Sequence, residues 1–347
     1  MKKIIYVREI PIGGKHVVIQ SMTNTKTNDI ASTVKQINEL IDQGCEIVRV
    51  AVKDMDDALA ISAIKDQVTC PIVADIHFDY KLALAAIDNG ADKMRINPGN
   101  MEKEIVEIIV NTCKEHNIPI RIGVNSGSLS PDIIEKYGTS STALVEEMKR
   151  EVDFIESLGY TNLILSIKAT DIFSFIEANK EINKLYNYPL HIGLTESGTV
   201  ESGSIRSSYA IGTLLKEGIG DTIRVSLTGN PVNEIKVAKE ILKIFNLYKG
   251  ATLISCPTCG RCEYNMEALI TQVEPIISKI NIPLKIAIMG CVVNGIGEGK
   301  EADLGIAGGK HQAVIFRKGH IVKKVDENDL LEAFKDELNS IIKENNH

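Results

Sequence analysis

The chain has 347 residues, of which 44% are hydrophobic and 24% are charged, as in ordinary globular proteins. This length exceeds one comfortable hydrophobic core, so we expect one large domain and one smaller domain. The formal net charge of −7 argues against a general nucleic-acid-binding surface. With no N-terminal stretch typical of a signal peptide and no apolar run long enough to span a bilayer, the sequence predicts a cytoplasmic protein.

Short β-branched runs alternate with stretches of helical period from residue 16 to about residue 245. Most of these runs are nearly all apolar, as strands buried on both faces are. Eight strand–helix units predict an α/β fold, a parallel (β/α)8 TIM barrel. An open doubly wound sheet is the alternative, because periodicity alone does not establish closure. The candidate strands begin near Val17, Ile47, Pro71, Lys93, Pro119, Asn162, Pro189 and Thr222.

The pattern changes after Tyr248-Lys249-Gly250, so we assign residues 1–250 to the barrel domain and 251–347 to a smaller α+β domain. In the barrel domain, residues 3–13 are expected to form a hairpin on the barrel floor, and 131–137 an extra short helix. In the second domain a glycine-rich loop is expected after Met289. Its predicted strands are 252–255, 284–289, 304–307, 313–317 and 320–324, with a helix at 266–280 and another at the end of the chain.

Polar side chains stand at the carboxyl ends of the predicted barrel strands, where the chemistry of barrel enzymes takes place. Five of them are cations, and burying several like charges is costly unless something neutralises them. They therefore predict an anionic substrate such as a phosphate. The alternative is that each cation pairs with a carboxylate in a structural salt bridge. In chain order these polar residues are Gln20, Ser21, Arg49, Asp75, His77, Arg95, Asn97, Arg121, Asn125, Lys168, Glu196, Arg224 and Ser226.

Four of the seven cysteines lie between residues 256 and 291, which predicts a metal or iron–sulfur site. Cys256-x-x-Cys259-x-x-Cys262 with the remote Cys291 could form an all-cysteine electron-transfer cluster or a structural zinc site. A third option uses three thiolates and the weaker oxygen ligand of Glu298, which leaves an iron able to bind substrate. Spacing alone does not decide among these options. The other three cysteines, Cys45, Cys70 and Cys113, lie in apolar periodic segments and are expected to be core residues.

Motifs along nearly the whole chain resemble those of the 4-hydroxy-3-methylbut-2-enyl diphosphate synthase family. Both cysteine motifs take part in the resemblance, and so do six motifs of the barrel. These six are Gln20-Ser21-Met22-Thr23-Asn24-Thr25, Ala74-Asp75-Ile76-His77-Phe78-Asp79, Arg95-Ile96-Asn97-Pro98-Gly99-Asn100, Ile122-Gly123-Val124-Asn125, Thr195-Glu196-Ser197-Gly198 and Asp221-Thr222-Ile223-Arg224-Val225-Ser226.

The resemblance implies an iron–sulfur oxidoreductase in the short bacterial two-domain form, working as a homodimer. Its substrate would be 2-C-methyl-D-erythritol 2,4-cyclodiphosphate, opened and dehydroxylated with two electrons from flavodoxin or ferredoxin. The resemblance also implies that three cysteines and a glutamate hold a 4Fe-4S cluster. The matching positions are Cys256, Cys259, Cys291 and Glu298.

The same resemblance assigns roles to the polar residues of the barrel. Arg49, Arg95, Arg121, Lys168 and Arg224 would clamp the diphosphate, while Asn97, Asn125 and Ser226 would donate neutral hydrogen bonds. Glu196 is the candidate acid for the departing hydroxyl, with Asp75 and His77 as orienting groups.

The sequence departs from the family pattern at two positions, Cys262 and Ile296, and neither departure removes a ligand. Two other functions are the alternatives to be tested. One is a phosphate-substrate barrel lyase or synthase with a structural zinc domain, and the other is a non-catalytic ferredoxin-like carrier.

Overall fold

The computed structural model of the chain describes residues 2–76, 79–262 and 264–345. The chain divides into two units, Met1–Leu247 and Tyr248–His347, and the division falls at the Tyr248-Lys249-Gly250 segment. No helix among the described residues is both long enough and apolar enough to cross a membrane.

The first unit begins with an antiparallel hairpin of β1 (Ile5–Val7) and β2 (Ile10–Ile12), as predicted. Eight parallel strands follow, in the spatial order β8-β7-β6-β5-β4-β3-β10-β9. A parallel bridge between Leu165 of β8 and Leu190 beside β9 joins the two ends, so the barrel is confirmed over the open sheet. The strands are β3 (Val18–Met22), β4 (Ile47–Ala51), β5 (Ile72–Asp75), β6 (Lys93–Ile96), β7 (Ile120–Asn125), β8 (Leu163–Lys168), β9 (His191–Ile192) and β10 (Thr222–Ile223).

Helices surround the barrel, and several begin or end at residue types that favour helix termini. Asp29 caps the first helix by accepting a hydrogen bond from the Ser32 amide at 3.2 Å. Gly44, Gly90 and Gly218 follow three helices with φ of 92°, 88° and 72°, the left-handed conformation that favours glycine. The helices are α1 (Ile30–Asp42), α2 (Met55–Lys65), α3 (Tyr80–Asp88), α4 (Lys103–Glu115), α5 (Pro131–Tyr137), α6 (Ser141–Ser157), α7 (Ile172–Leu185), α8 (Val200–Lys216) and α9 (Val232–Ile244).

The barrel interior changes from apolar to polar along its axis. At the floor, side chains of the β1–β2 hairpin pack against Val18, Ile47, Val73 and Ile164 of the barrel strands. Side chains two residues apart on a strand share a face, so the next inward positions belong to Gln20, Arg49, Asp75 and Ser166. The carboxyl half of the barrel is therefore filled by polar and charged groups that are buried rather than solvated.

The second unit is built on one five-stranded sheet in the order β11-β12-β13-β14-β15. The first three strands are parallel and the last two pairings are antiparallel. The Lys318-Gly319 turn joining β14 to β15 has φ of 48° and 80°, as a tight hairpin turn requires. The elements are β11 (Thr252–Ser255), α10 (Met266–Ile277), β12 (Lys285–Met289), α11 (Val292–Glu298), β13 (Leu304–Gly309), β14 (Gln312–Arg317), β15 (His320–Asp326) and α12 (Leu330–Asn345).

The prediction of a glycine-rich loop after Met289 is wrong, because α11 occupies that segment. Two of the glycines there, Gly295 and Gly299, serve close packing. A β-carbon on Gly295 would lie 2.7 Å from the β-carbon of Met289, and one on Gly299 would lie 2.8 Å from the Phe316 ring. Only a helix with these side chains missing can lie so near the sheet.

Candidate active site

Five cationic side chains lie together inside the carboxyl half of the barrel, and we call them the cation cluster: Arg49, Arg95, Arg121, Lys168 and Arg224. Four of them are less than a tenth exposed, and Arg224 is partly buried. Burial, together with Arg224 and Arg95, lowers the pKa of Arg49 to about 10, although Asp75 opposes the shift. The cluster predicted from the strand ends therefore forms, and its members repel one another.

Two buried carboxylates accompany the cation cluster. Asp75 lies between two arginines, with its Oδ1 3.1 Å from Nη1 of Arg95 and its Oδ2 3.7 Å from Nε of Arg49. Glu234 of α9 faces Arg224, whose Nε and Nη2 donate to its two oxygens at 3.2 Å each. The salt-bridge alternative thus accounts for three of the five cations.

Arg121 and Lys168 have no carboxylate partner among the residues that the structure describes. Burial and the neighbouring Arg49 and Arg95 lower the pKa of Arg121 well below its ordinary value. Burial, Arg224 and Arg121 do the same to the pKa of Lys168. This part of the barrel carries more positive than negative charge, which an anionic ligand would neutralise.

A deeper polar layer was missed by the sequence reasoning. Lys93 is completely buried, and its Nζ donates to Oε1 of Gln20 at 3.0 Å. His191 is also fully buried and hydrogen-bonds the Thr222 hydroxyl. Burial and the neighbouring cations lower the pKa of both groups well below their ordinary values. Lys93 stands two residues before Arg95 on the same strand, and that spacing is the signal that could have identified it.

Several buried polar atoms of this interior have no hydrogen-bond partner among the described residues. They are Nε and Nη1 of Arg121, Nε2 of Gln20, Oγ of Ser166 and Nε2 of His191. Arginine and the glutamine amide can only donate from these nitrogens. An oxygen-rich ligand or ordered water is the natural complement to such a set.

Glu234 is a second residue that the sequence reasoning missed, and it ties three parts of the site together. Besides Arg224, its carboxylate accepts hydrogen bonds from the Ser21 hydroxyl at 2.8 Å and from the Leu227 amide at 3.2 Å. No local motif marks it, because it lies on a helix and 213 residues separate it from Ser21.

The neutral and acidic candidates lie around the end of the barrel. Asn97 is buried and donates from Nδ2 to the Ser128 hydroxyl at 2.8 Å, whereas Asn125 and Ser226 are partly exposed. Glu196 is exposed, and the Thr170 hydroxyl donates to its Oε2 at 3.2 Å. Its φ of 52° is rare for a residue with a side chain and marks a conformation held by its surroundings. The predicted His77 lies outside the described residues.

Three of the four clustered cysteines lie close to the carboxyl ends of β11 and β12: Cys256, Cys262 and Cys291. Cys256 follows β11 and Cys291 follows β12, two strands that pair side by side. The Gly290 amide donates to Sγ of Cys256 at 3.1 Å. A β-carbon on Gly290 would lie 3.1 Å from Sγ of Cys262 and 3.5 Å from Sγ of Cys256, so both thiols contact this glycine.

The structure does not gather all four predicted ligands. Cys259 and Glu298 are exposed, and no three His, Cys, Asp or Glu side chains of the described residues are placed to hold a metal. Cys291 immediately precedes α11 in an extended conformation, and Glu298 is the last residue of that helix, so the helix separates them by its own length of about 10 Å. Two thiols beside one glycine, one of which accepts a backbone N–H, are the kind of donor that fits an iron–sulfur cluster.

The remaining cysteines are confirmed as core residues. Cys45, Cys70 and Cys113 are all nearly or fully buried. Burial raises the pKa of Cys70 and of Cys113 to about 12, so both stay as thiols and are poor nucleophiles or ligands.

The fold and these side chains define a TIM-barrel protein with a buried cationic interior, extended by a cysteine-bearing α+β domain. Comparison with known families then specifies the group. The GcpE TIM-barrel domain matches residues 2–239, and the GcpE protein C-terminal domain matches residues 252–340. The chain belongs to the GcpE family, which confirms the resemblance seen in its motifs.

Curated relatives match over nearly their whole length. The 4-hydroxy-3-methylbut-2-en-1-yl diphosphate synthase (flavodoxin) of Clostridium perfringens is 55% identical over 332 residues, covering 94% of this chain and 95% of that protein. The enzyme of the same name from Caldanaerobacter subterraneus is 51% identical over 353 residues, covering 99% of each. Among solved structures, dihydropteroate synthase of Yersinia pestis aligns with a TM-score of 0.52 at 10% identity, covering 70% of this chain and 100% of that chain. That likeness supports the barrel fold alone.

Proposed function

We propose that the protein converts 2-C-methyl-D-erythritol 2,4-cyclodiphosphate to 4-hydroxy-3-methylbut-2-enyl diphosphate in the methylerythritol phosphate pathway of isoprenoid biosynthesis. The observation that carries the proposal is the buried positive charge of Arg121 and Lys168, which no described carboxylate neutralises. A cyclic diphosphate supplies negative charge and many acceptor oxygens. The names of the curated relatives, which are synthases of this allylic diphosphate, support the same substrate class.

In this proposal the cation cluster holds the diphosphate and stabilises the charge that forms when the ring opens. Arg49 and Arg95 are oriented by Asp75, and Arg224 is oriented by Glu234. Guanidinium groups fixed in this way lose little freedom when a phosphate binds, which strengthens binding. Asn97, Asn125 and Ser226 add hydrogen bonds without further charge.

The reaction takes up two electrons and releases one hydroxyl as water, so a proton has to reach that oxygen. We assign the delivery of this proton to Glu196. Its carboxyl group is exposed and forms no salt bridge with a described residue. A carboxylic acid there can protonate the leaving oxygen as a general acid. Asp75 and His77 complete the proposed catalytic set, with Asp75 acting through the two arginines that it contacts.

The second domain is proposed to hold a 4Fe-4S cluster through Cys256, Cys259, Cys291 and Glu298. When bound, such a cluster supplies electrons one at a time and a Lewis-acidic iron. Flavodoxin, which the names of the relatives mention, or ferredoxin would be the electron donor. A homodimer in the cytoplasm completes the proposal, and seven free cysteines suit a reducing compartment.

The test is an anaerobic assay with the cyclic diphosphate and a low-potential reductant, together with analysis of iron, sulfide and zinc. We expect formation of the allylic diphosphate by a brown protein that contains iron and sulfide. A colourless protein that contains zinc and leaves the cyclic diphosphate unchanged would contradict the proposal and favour the lyase alternative.

A further inference from the structure

Helix α6 carries two carboxylic side chains, Glu147 and Glu151, on the face that is turned into the protein. Glu147 is 1% exposed and Glu151 is 7% exposed. They stand four residues apart, so they are neighbours on one side of the helix. Neither forms a salt bridge with a described residue, and a buried carboxylate without a cation is costly unless hydrogen bonds satisfy it. A purely structural helix face would be served better by apolar residues.

Glu147 obtains its hydrogen bonds from one residue of a loop at the carboxyl end of the barrel. The Ser130 amide donates to its Oε2 and the Ser130 hydroxyl to its Oε1, both at 2.8 Å. Ser130 ends the loop that starts at Asn125, the last residue of β7, and it immediately precedes α5. The carboxylate therefore fixes the far end of the loop that begins with a proposed substrate ligand.

The same loop holds Asn97, which belongs to the neighbouring strand end. Asn97 donates from Nδ2 to the Ser128 hydroxyl at 2.8 Å, and that hydroxyl lies 3.3 Å from the Asn125 carbonyl oxygen to which it donates. Asn97, Ser128 and Asn125 thus form one chain of hydrogen bonds. The geometry of this chain of hydrogen bonds depends on the position of Ser130, the last residue of the loop.

Glu147 also lies beneath the turn Pro98–Asn100 that follows Asn97. A β-carbon on Gly99 would lie 3.3 Å from Oε1 of Glu147 and 3.7 Å from Oε1 of Glu151. The turn after β6 and the loop after β7 therefore rest on the same carboxylate, one through close packing and the other through two hydrogen bonds. Loops fixed by buried groups position their side chains more reproducibly than solvated loops do.

We propose that Glu147 is a positioning residue, which aligns Asn97 and Asn125 for the bound diphosphate through Ser130 and the Asn125–Ser130 loop. The inference rests on the proposed function, since it assumes that both asparagines bind the substrate. Glu147 itself touches neither the substrate nor the reacting atoms.

The test compares three variants as cluster-loaded, full-length enzymes. E147A removes both acceptors, so we expect KM for the cyclic diphosphate to rise about tenfold, with kcat changing by no more than about twofold. E147Q is expected to restore most of the affinity. Its carbonyl accepts from the Ser130 amide, and its NH2 group donates to the hydroxyl oxygen, which can reverse its role. E151A is the matched control, because Glu151 shares the helix face and no described residue of the loop donates a hydrogen bond to it; it should keep the wild-type KM.

A double-mutant cycle separates positioning from a general structural effect. If Glu147 acts through Asn97, E147A should add little to the KM of N97A, whereas independent effects would multiply. Hydrogen exchange provides a readout that does not depend on turnover. Peptides covering residues 97–101 and 126–130 should exchange faster in E147A and at the wild-type rate in E151A.

The outcomes distinguish this inference from the proposed function. A wild-type enzyme that does not turn over the cyclic diphosphate contradicts the proposed function, and the exchange experiment then decides the loop positioning by itself. Wild-type KM and exchange in E147A would overturn the inference. So would multiplicative effects in the cycle, or an E151A variant that behaves like E147A. If E147A does not fold, S130A, which removes one of the two hydrogen bonds, should show a smaller change in the same direction.

Discussion

Replacing Arg121 by methionine should make the substrate-free protein more stable while abolishing turnover. Arg121 is 1% exposed, and its Nε and Nη1 have no hydrogen-bond partner among the described residues. It stands opposite Arg95 in the register of β6 and β7, so two like charges face each other across neighbouring strands. Burial and the neighbouring Arg49 and Arg95 lower the pKa of Arg121 well below its ordinary value, because the charged form of the side chain is unfavourable here.

The size of the stability change is estimated from replacements of buried charged groups in other proteins. Replacing buried ionic groups by well-packed apolar ones is neutral or stabilises a protein by about 1–4 kcal/mol. Methionine is unbranched and flexible, and it can fill most of the space that the arginine stem occupies. We expect the free energy of unfolding to rise by about 1–4 kcal/mol, with a rise in Tm of about 2–4 °C per kcal/mol.

The assay is urea unfolding of substrate-free protein followed by circular dichroism, since the chain contains no tryptophan. Arg150 offers a matched control on the outer surface of the barrel. Its Nη1 lies 3.0 Å from Oδ1 of Asp132, and R150M should lower stability by no more than about 1 kcal/mol. A ligand at 100 times its Kd should add about 2.7 kcal/mol to the wild type and nothing to R121M. An R121M protein less stable than the wild type by more than about 1 kcal/mol would refute this reasoning.

Three further substitutions test other parts of the structure. E298A should abolish turnover and alter the iron–sulfur absorption spectrum, with the exposed E301A as control; full activity would exclude Glu298 as a ligand. C262S should keep its iron and sulfide content, because the proposed ligands are the other three cysteines, and loss of iron would favour the all-cysteine site. The pKa of Glu151 is raised by burial and by Glu147 from its ordinary 4.5 to about 7, so the folded state binds the proton more tightly than the unfolded chain does. Stability from this group is complete below pH 4.5 and falls by about 3 kcal/mol as the pH rises to 7, and urea unfolding at the two pH values should show that E151Q lacks this loss.

The sequence alone located most of the barrel. Its apolar runs placed the starts of all eight strands within about two residues, because a strand buried on both faces reads as a short, nearly continuous apolar run. The polar residues at the strand ends also predicted the cation cluster, because the parallel strands of a barrel bring their carboxyl ends to the same side. The hairpin on the barrel floor and the helix Pro131–Tyr137 were also predicted from their local sequence.

The tertiary structure decided which charges are balanced and which residues support the ligands. Glu234 and Glu147 look like ordinary helix glutamates in the sequence, yet they bind Arg224 and Ser130 in the interior. Lys93 and His191 are fully buried in the deeper polar layer of the barrel, which the sequence also did not reveal. Helix α11 occupies the segment expected to be a loop, and Gly295 within it and Gly299 after it pack closely against Met289 and Phe316. Periodicity reports the environment of a residue along its own element, whereas the balance of buried charge depends on contacts between elements far apart in the chain.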